Sequence, residues 1–281
     1  MVRIPSHPDF PLGSVTDEID NDANDPKATW QPRDAEPVKS FWMSDREVSQ
    51  QQIIAVLEDD ARWQQLEPRW QTLRSEVRLR FTSSEAPLEA NALPADVPWY
   101  DAVDICNLLS VYAGLEPAYE IAKVLVVEGS SFDAREETLV SLARGKGYRL
   151  PAEREWEYAC RALSLSRFSF GDDEDNASLY AVVDGSALVR GGRRRPSRWG
   201  LFDMHGSMWE WCWDRYDTSR SSTADDGWDD WWIQSLEDSG SFRVLRGGSW
   251  GSGPGGVRCA FRRSRAPEYR FNYFGFRLVL E

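Results

Sequence analysis

Four cysteines, two histidines and many carboxylates are the groups in this 281-residue chain whose types could do chemistry. Cys106, Cys160, Cys212 and Cys259 stand far apart and form no Cys-x-x-Cys pair, so a zinc site is not expected and buried free thiols are. No second thiol stands near Cys259 in the sequence, which argues against soft-metal chemistry there. His7 and His205 are the only imidazoles, and no nucleophile motif accompanies either, so a Ser-His-Asp hydrolase has nothing to be built on. His205 is expected to be a satisfied core or loop histidine. Nothing singles out one carboxylate pair for acid–base work. Asp172, Asp173, Glu174 and Asp175 could offer oxygens to a structural calcium ion, as could Glu210 near Ser207; a merely solvated acidic loop is the alternative. No other cofactor is called for.

Residues 251–274 (GSGPGGVRCAFRRSRAPEYRFNYF) suggest recognition rather than turnover. They contain no Lys, Gln, Met, Trp, Leu or Ile, and Phe271-Asn272-Tyr273-Phe274 is too aromatic for an ordinary loop. Tyr, Phe and Arg offer large, rigid contact area, and Gly and Ser offer room and adaptable polar contacts, the mixture that antibody binding loops use. The candidate ligand-binding residues are Gly251, Ser252, Gly253, Gly255, Gly256, Phe261, Arg263, Ser264, Arg265, Tyr269, Phe271, Asn272, Tyr273 and Phe274. Arg263, Arg265, Tyr269, Phe271, Tyr273 and Phe274 are the strongest candidates for direct contact with a protein or other macromolecule.

These residues must be positioned by a scaffold rich in irregular structure: 14 Trp and 20 Gly point to aromatic-pinned loops in a mixed α+β fold. Phe41–Val48 reads as a strand, and Ser49 caps a helix running to about Asp60. Trp63–Leu73 reads as a second helix or a lid. Pro94–Tyr112 carries apolar residues at helical spacing and is stopped by Gly114. Tyr119–Val127 reads as a strand, and Tyr148–Leu150 as a short extended piece. Pro151 opens a helix over Glu153–Cys160, with glutamates in its first turn. Phe242–Gly248 and Phe276–Leu280 read as the last strands. Residues 1–40 read as a polar surface arm, and 217–240 as an acidic, Trp-bearing insertion. No repeat is evident, so residues 1–281 are expected to form one domain.

The net charge of −13 is uneven: residues 241–281 hold eight Arg against two Glu, a net +6, which leaves −19 on the rest. Most of these arginines are expected to pair with the acidic body. The overall acidity argues against nucleic acid as a partner. The absence of an apolar run of about 18 residues, or of a signal-like start, argues for no membrane and a cytoplasmic location.

Four ordered blocks carry a resemblance. They are Arg149-Leu150-Pro151-Ala152-Glu153-Arg154-Glu155-Trp156-Glu157-Tyr158-Ala159, then Gly200-Leu201-Phe202-Asp203-Met204-His205-Gly206-Ser207-Met208-Trp209-Glu210-Trp211, then Arg243-Val244-Leu245-Arg246-Gly247-Gly248-Ser249-Trp250, and finally Gly275-Phe276-Arg277-Leu278-Val279. They resemble the sulfatase-modifying, formylglycine-generating enzyme family, and the resemblance covers nearly the whole chain. It implies a C-type-lectin-like fold with little regular secondary structure. In such a fold Trp156, Trp209, Trp211 and Trp250 pin loops, and Gly247 and Gly248 permit close backbone approach. Family members that oxidise a cysteine hold copper on two cysteines just after the Gly-Gly-Ser-aromatic block. Here that stretch, Gly251–Val257, has none, and the iron-binding histidine triad of a second enzyme branch is also missing. The resemblance therefore implies a scaffold without the family's catalysis. Ser207 stands where Asn is usual, which weakens a carry-over of family calcium.

The segment between the last two blocks resembles the variable region of proteins diversified by retroelements, where a template is copied with errors at adenines. An Asn codon then yields Gly, Ser, Arg, Tyr, Phe or Ala, but not Lys, Gln, Glu, Met or Trp, which leaves Glu268 in the undiversified frame. Undiversified family domains, including those fused to bacterial kinases, also carry an Asn/Arg-rich segment here, so drift is the alternative origin. The resulting expectation is a non-enzymatic ligand-binding protein with a hypervariable surface. An oxidase or other enzyme on the same fold, or a regulatory domain of a larger signalling protein, are the rival readings.

Overall fold

The structure is a computed structural model and describes residues 1–13, 36–82, 94–127, 134–143, 145–183, 185, 189–216 and 242–281. The insertion at 217–240 and most of the expected N-terminal arm lie outside the described residues. Strands β1 (Val2–Ile4), β2 (His7–Phe10), β3 (Glu36–Val38) and β4 (Phe41–Met43) come first. The expected strand over Phe41–Val48 ends at Met43, because the Ser44 hydroxyl donates to the Arg46 carbonyl at 2.8 Å and turns the chain.

Ser49 caps helix α1 (Gln50–Leu57) as expected. Its hydroxyl accepts from the Gln52 N–H at 3.2 Å, and the Gln52 side chain accepts from the Ser49 N–H at 2.9 Å. The stretch read as one helix or lid is two helices, α2 (Asp60–Trp63) and α3 (Pro68–Thr82), because Pro68 opens the second. Within Pro94–Tyr112, helix α4 starts at Trp99, after Pro98, which is extended at ψ 164°. It runs to Tyr112, and Gly114, at φ +78°, follows its end.

Strand β5 (Tyr119–Val127) matches its expected bounds and forms an antiparallel hairpin with β6 (Ala134–Leu142). Arg149 bridges to Val279, and α5 (Glu153–Arg161) follows; Glu155 reaches back to the Ala152 N–H at 2.8 Å. A four-residue helix, α6 (Ala177–Tyr180), interrupts a long irregular stretch.

A four-stranded sheet then organises the molecule: β10 (Phe274–Gly275), β7 (Trp209–Arg215), β8 (Arg243–Arg246) and β9 (Arg262–Arg265), in that order. Its register puts Trp209 opposite Phe274, Trp211 opposite Leu245, and Leu245 opposite Arg263. Side chains alternate across a sheet, so this row shares one face. Trp209, Trp211, Leu245 and Phe274 enter one core with Trp63, Trp99 and Phe276. Cys212 and Val244 enter a second core on the other face, with Trp156, Cys160 and Cys259. The sheet is thus the partition between two cores.

Two expected strands are shorter than their runs. Phe242–Gly248 pairs only over Arg243–Arg246, because Gly247 and Gly248 sit at φ +94° and +74°. A Cβ on Gly248 would lie 2.6 Å from the Gly256 carbonyl oxygen, so only glycine fits. Of Phe276–Leu280 only Val279–Leu280 is strand: it is β11, which joins β4 in a sheet ordered β1-β4-β11, while β10 lies just before the expected run.

Of the C-terminal arginines, Arg246, Arg262, Arg270 and Arg277 meet carboxylates, whereas Arg243 and Arg258 donate to backbone carbonyls. Arg246 donates to Glu157 at 2.6 Å, Arg262 to Glu153 at 2.9 Å, and Arg277 to Glu210 at 2.6 and 2.5 Å. Trp156, Trp209 and Trp211 are buried and Trp250 is half-buried.

Candidate ligand-binding surface

Residues 251–274 begin with a tight turn. The Ser249 N–H donates to the Ser252 hydroxyl at 3.0 Å, and the Ser252 N–H to the Ser249 carbonyl at 2.9 Å. Gly251 and Gly253 are exposed here, and Ser252, Gly255 and Gly256 are half-buried. A 3-10 turn at Pro254–Val257 returns the chain inward through Val257, which is buried. Arg258 donates to the Gly255 carbonyl at 2.8 Å and lies 5.7 Å from the Phe261 ring centroid. Phe261 in turn meets Trp209 at 5.8 Å.

Strand β9 is the sheet edge. Arg263 and Ser264 are half-buried, and the Arg263 guanidinium sits 5.7 Å from the Trp209 ring. Beyond the strand the aromatics cluster. The Tyr269 and Phe271 rings are nearly parallel, 8° apart at 6.2 Å, and Phe271 meets Tyr273 at 4.3 Å. Phe271 is 41% exposed, Asn272 is exposed, and Tyr269 and Tyr273 are half-buried. The Tyr273 carbonyl accepts from the Trp209 N–H at 2.8 Å, which ties the aromatic turn to the central sheet. Gly255, Arg258, Phe261, Trp209, Phe274 and the aromatic turn therefore follow one another in contact.

Two of the predicted contact residues are buried. Phe274 has 0% exposure and packs on Trp211 at 5.3 Å, inside the core. Arg265 has 3% exposure, because it stands opposite Arg243 in the sheet ladder. Both belong to the support of the surface, not to its outer face. Sequence reasoning missed Arg270, which is exposed and donates to the Asp96 carbonyl at 3.2 Å. It also missed Arg258 as a support, and it gave Trp209 only as one of the loop-pinning tryptophans. The register adds its place, opposite Phe274.

The reactive groups lie deeper. All four cysteines are free and buried, as expected. The expectation that Cys259 has no thiol neighbour is wrong: Cys160 Sγ lies 3.5 Å away, brought by α5 from 99 residues upstream. His205 is buried at 2% exposure and satisfied, as expected. Its Nδ1 is 2.8 Å from the Val257 carbonyl, and its Nε2 is 2.8 Å from Ser169 Oγ. Burial pushes the His205 pKa down to about 4, so the imidazole is neutral at pH 7. Burial, then the neighbouring Cys259, pushes the Cys160 thiol well above its ordinary range.

The family's copper pair does not fit this chain. The loop that would hold it contributes the Pro254–Val257 turn with no sulfur, and Cys259 Sγ turns inward to Cys160. Glu210 is engaged as well: its carboxylate accepts from Arg277 and, at 2.7 Å, from Trp156 Nε1. Both of its oxygens are thus already in hydrogen bonds within the fold. In the acidic loop Asp172 accepts from the Arg167 N–H at 2.8 Å, and Asp173 from the Asp175 N–H at 3.0 Å. Those bonds are turn contacts of the loop's own making. A separate polar cleft of about 370 Å³ is lined by Asp45, Arg46, Glu47, Gln52 and Arg190, and none of the predicted contact residues lines it. Burial, with Asp203 and Glu210 nearby, raises the Glu47 pKa.

Residues 6–281 match the sulfatase-modifying factor enzyme 1-like domain. Among solved structures, Treponema denticola variable protein 1 is similar over 100% of this chain and 94% of that one, with a TM-score of 0.67 and 25% identity. The formylglycine-generating enzyme of Streptomyces coelicolor is 32% identical over 158 residues, 48% of this chain and 47% of that enzyme. The serine/threonine-protein kinase pkn1 of Chlamydia caviae is 33% identical over 139 residues, 47% of this chain and 21% of the kinase. The chain thus spans less than half the length of these two relatives. No described helix is long and apolar enough to cross a membrane. With the motif blocks assembled around one sheet and the match running from residue 6 to the last, the chain belongs to the sulfatase-modifying factor enzyme 1-like family, on the fold of formylglycine-generating enzymes.

Proposed function

We propose that this chain is a ligand-binding protein that presents residues 251–274 as a variable surface on its family scaffold. One observation carries the reading: within a single segment, exposed Gly251, Gly253, Phe271 and Asn272 alternate with buried Val257, Arg265 and Phe274. Such a segment can change its outer residues while its inner ones keep the fold. The likeness to Treponema denticola variable protein 1 supports the same reading. The ligand is a protein or other macromolecule, because an open patch of aromatic, Arg and Gly positions suits a broad interface rather than an enclosed small molecule. Nucleic acid and membrane are not its partners, binding needs no cofactor, and the protein acts in the cytoplasm.

The test is to sequence the 3′ end of the gene and its flanks. A nearby near-copy of codons 243–277, differing only where that copy has adenine, beside a reverse transcriptase gene, is the expected result. Absence of any such repeat would sink diversification. The rival enzyme reading rests on the family's oxidases and predicts copper-dependent turnover of a cysteine peptide, lost in Cys259→Ser. No turnover with any cysteine peptide is the outcome expected here.

A further inference from the structure

Cys160, His205 and Cys259 converge from three distant parts of the chain, and their ligand atoms all lie within 4.8 Å of one another. We propose that they form a buried binding site for one cuprous ion, distinct from the copper position of the family's oxidases, which this chain lacks.

The geometry is close to what an ion requires. A first-row ion sits about 2.3 Å from sulfur and about 2.0 Å from imidazole nitrogen, so it spans sulfurs up to ~4.6 Å apart and a sulfur–nitrogen pair up to ~4.3 Å apart. Cys160 Sγ is 3.5 Å from Cys259 Sγ and 3.9 Å from His205 Nε2, both within that span. The remaining separation needs at most about half an ångström of closing.

The imidazole is prepared in the manner of a metal ligand. Nδ1 faces the Val257 carbonyl at 2.8 Å, which holds the proton there and leaves a lone pair on Nε2, 3.9 Å from Cys160 Sγ. The Ser169 hydroxyl, 2.8 Å from Nε2, and the Ser169 N–H, 3.3 Å away, share that lone pair, so an ion has to displace both. Phe168 and Phe170 stand edge-on to the ring at 5.9 and 5.2 Å and shield it from water.

Ligand type and number select the ion. Two thiolates and an imidazole suit a soft ion. Among the described residues no fourth Cys, His, Asp or Glu joins the group, whereas structural zinc takes four ligands. Entry of the ion releases two thiol protons and leaves one net negative charge, in the field of Arg161 and Arg246. Cys259 lies in the middle of the presented segment and Cys160 on α5, so the ion would fasten the base of that segment to the scaffold. The proposal stands whether or not the outer surface binds a macromolecule.

The test is to titrate the reduced full chain, without oxygen, with cuprous ion against a chromophoric cuprous chelator. One equivalent per chain is expected. Changing even an outer partner of a metal ligand costs about 10–100-fold, so Cys160→Ser and Cys259→Ser should each weaken binding at least about 100-fold, while Cys106→Ser and Cys212→Ser should not change it. Uptake unaffected by Cys160→Ser would overturn the site. So would quantitative formation of a Cys160–Cys259 disulfide in air by a chain that takes up no copper when reduced, or uptake of zinc but not copper. If a serine variant fails to fold, X-ray absorption on the copper-loaded wild-type chain decides. Two sulfur and one nitrogen neighbours support the site, and any other set refutes it.

Discussion

Phe271 and Phe274 are three residues apart in one aromatic turn, yet the structure assigns them opposite duties, and truncating each to alanine separates them. Phe274 is fully buried against Trp211 and Tyr273, at 5.3 and 5.1 Å. Phe→Ala at such a site costs about 3–5 kcal/mol from lost transfer energy and the cavity left behind. Phe271 is 41% exposed and its main partner is the Tyr273 ring at 4.3 Å. Losing one half-exposed aromatic pair costs about 0.5–1.5 kcal/mol. Urea unfolding resolves the two. With a slope near 3 kcal/mol per molar, Phe274→Ala should lower the midpoint by about 1–1.7 M, and Phe271→Ala by no more than about 0.5 M. Equal shifts would mean that the aromatic turn is core throughout, and the idea of a tolerant outer surface would fall with it.

Glu210→Gln should lower stability by about 3–5 kcal/mol, since it strands the buried Arg277 guanidinium without its carboxylate; thermal unfolding checks this, and an unchanged Tm would contradict it. Burial raises the Asp104 pKa to about 6 against the opposing pull of Arg80. A carboxyl whose folded pKa lies above its unfolded value destabilises the fold once ionised, so that cost is absent below about pH 4 and complete above about pH 6. Asp104→Asn should therefore gain on the wild type by up to about 3 kcal/mol as pH rises from 4 to 7, and urea titrations at the two pH values would expose a wrong sign.

Local elements were legible where local chemistry decides them. Ser49 with Gln52, Gly114 and the unbroken run Tyr119–Val127 each carry their own start or stop signal, and the structure follows them. The strand Ala134–Leu142 was not legible, because Arg135, Glu136 and Glu137 disrupt its apolar alternation and its stability comes from pairing with β5. Contact residues were half legible for a similar reason. Composition marks residues 251–274 as unusual, but only the ladder shows that Arg265 and Phe274 turn inward. The Cys160–Cys259 approach spans 99 residues and is set by how α5 packs on the sheet, so no spacing rule could have found it. The arginine-rich tail was readable in part as the counter-charge to an acidic body: Glu153, Glu157 and Glu210 meet Arg262, Arg246 and Arg277, while Arg243 and Arg258 serve backbone carbonyls instead.

The small sheet that joins β1, β4 and β11 also determines how the molecule carries mechanical load. Val2 and Val279 both stand opposite Met43, on either side of β4. Neighbouring strands are about 4.8 Å apart, so the first and last strands are only about 10 Å from each other. Tension applied between them falls first on β4 and on the Arg149–Val279 bridge, ahead of the sheet that supports the aromatic turn.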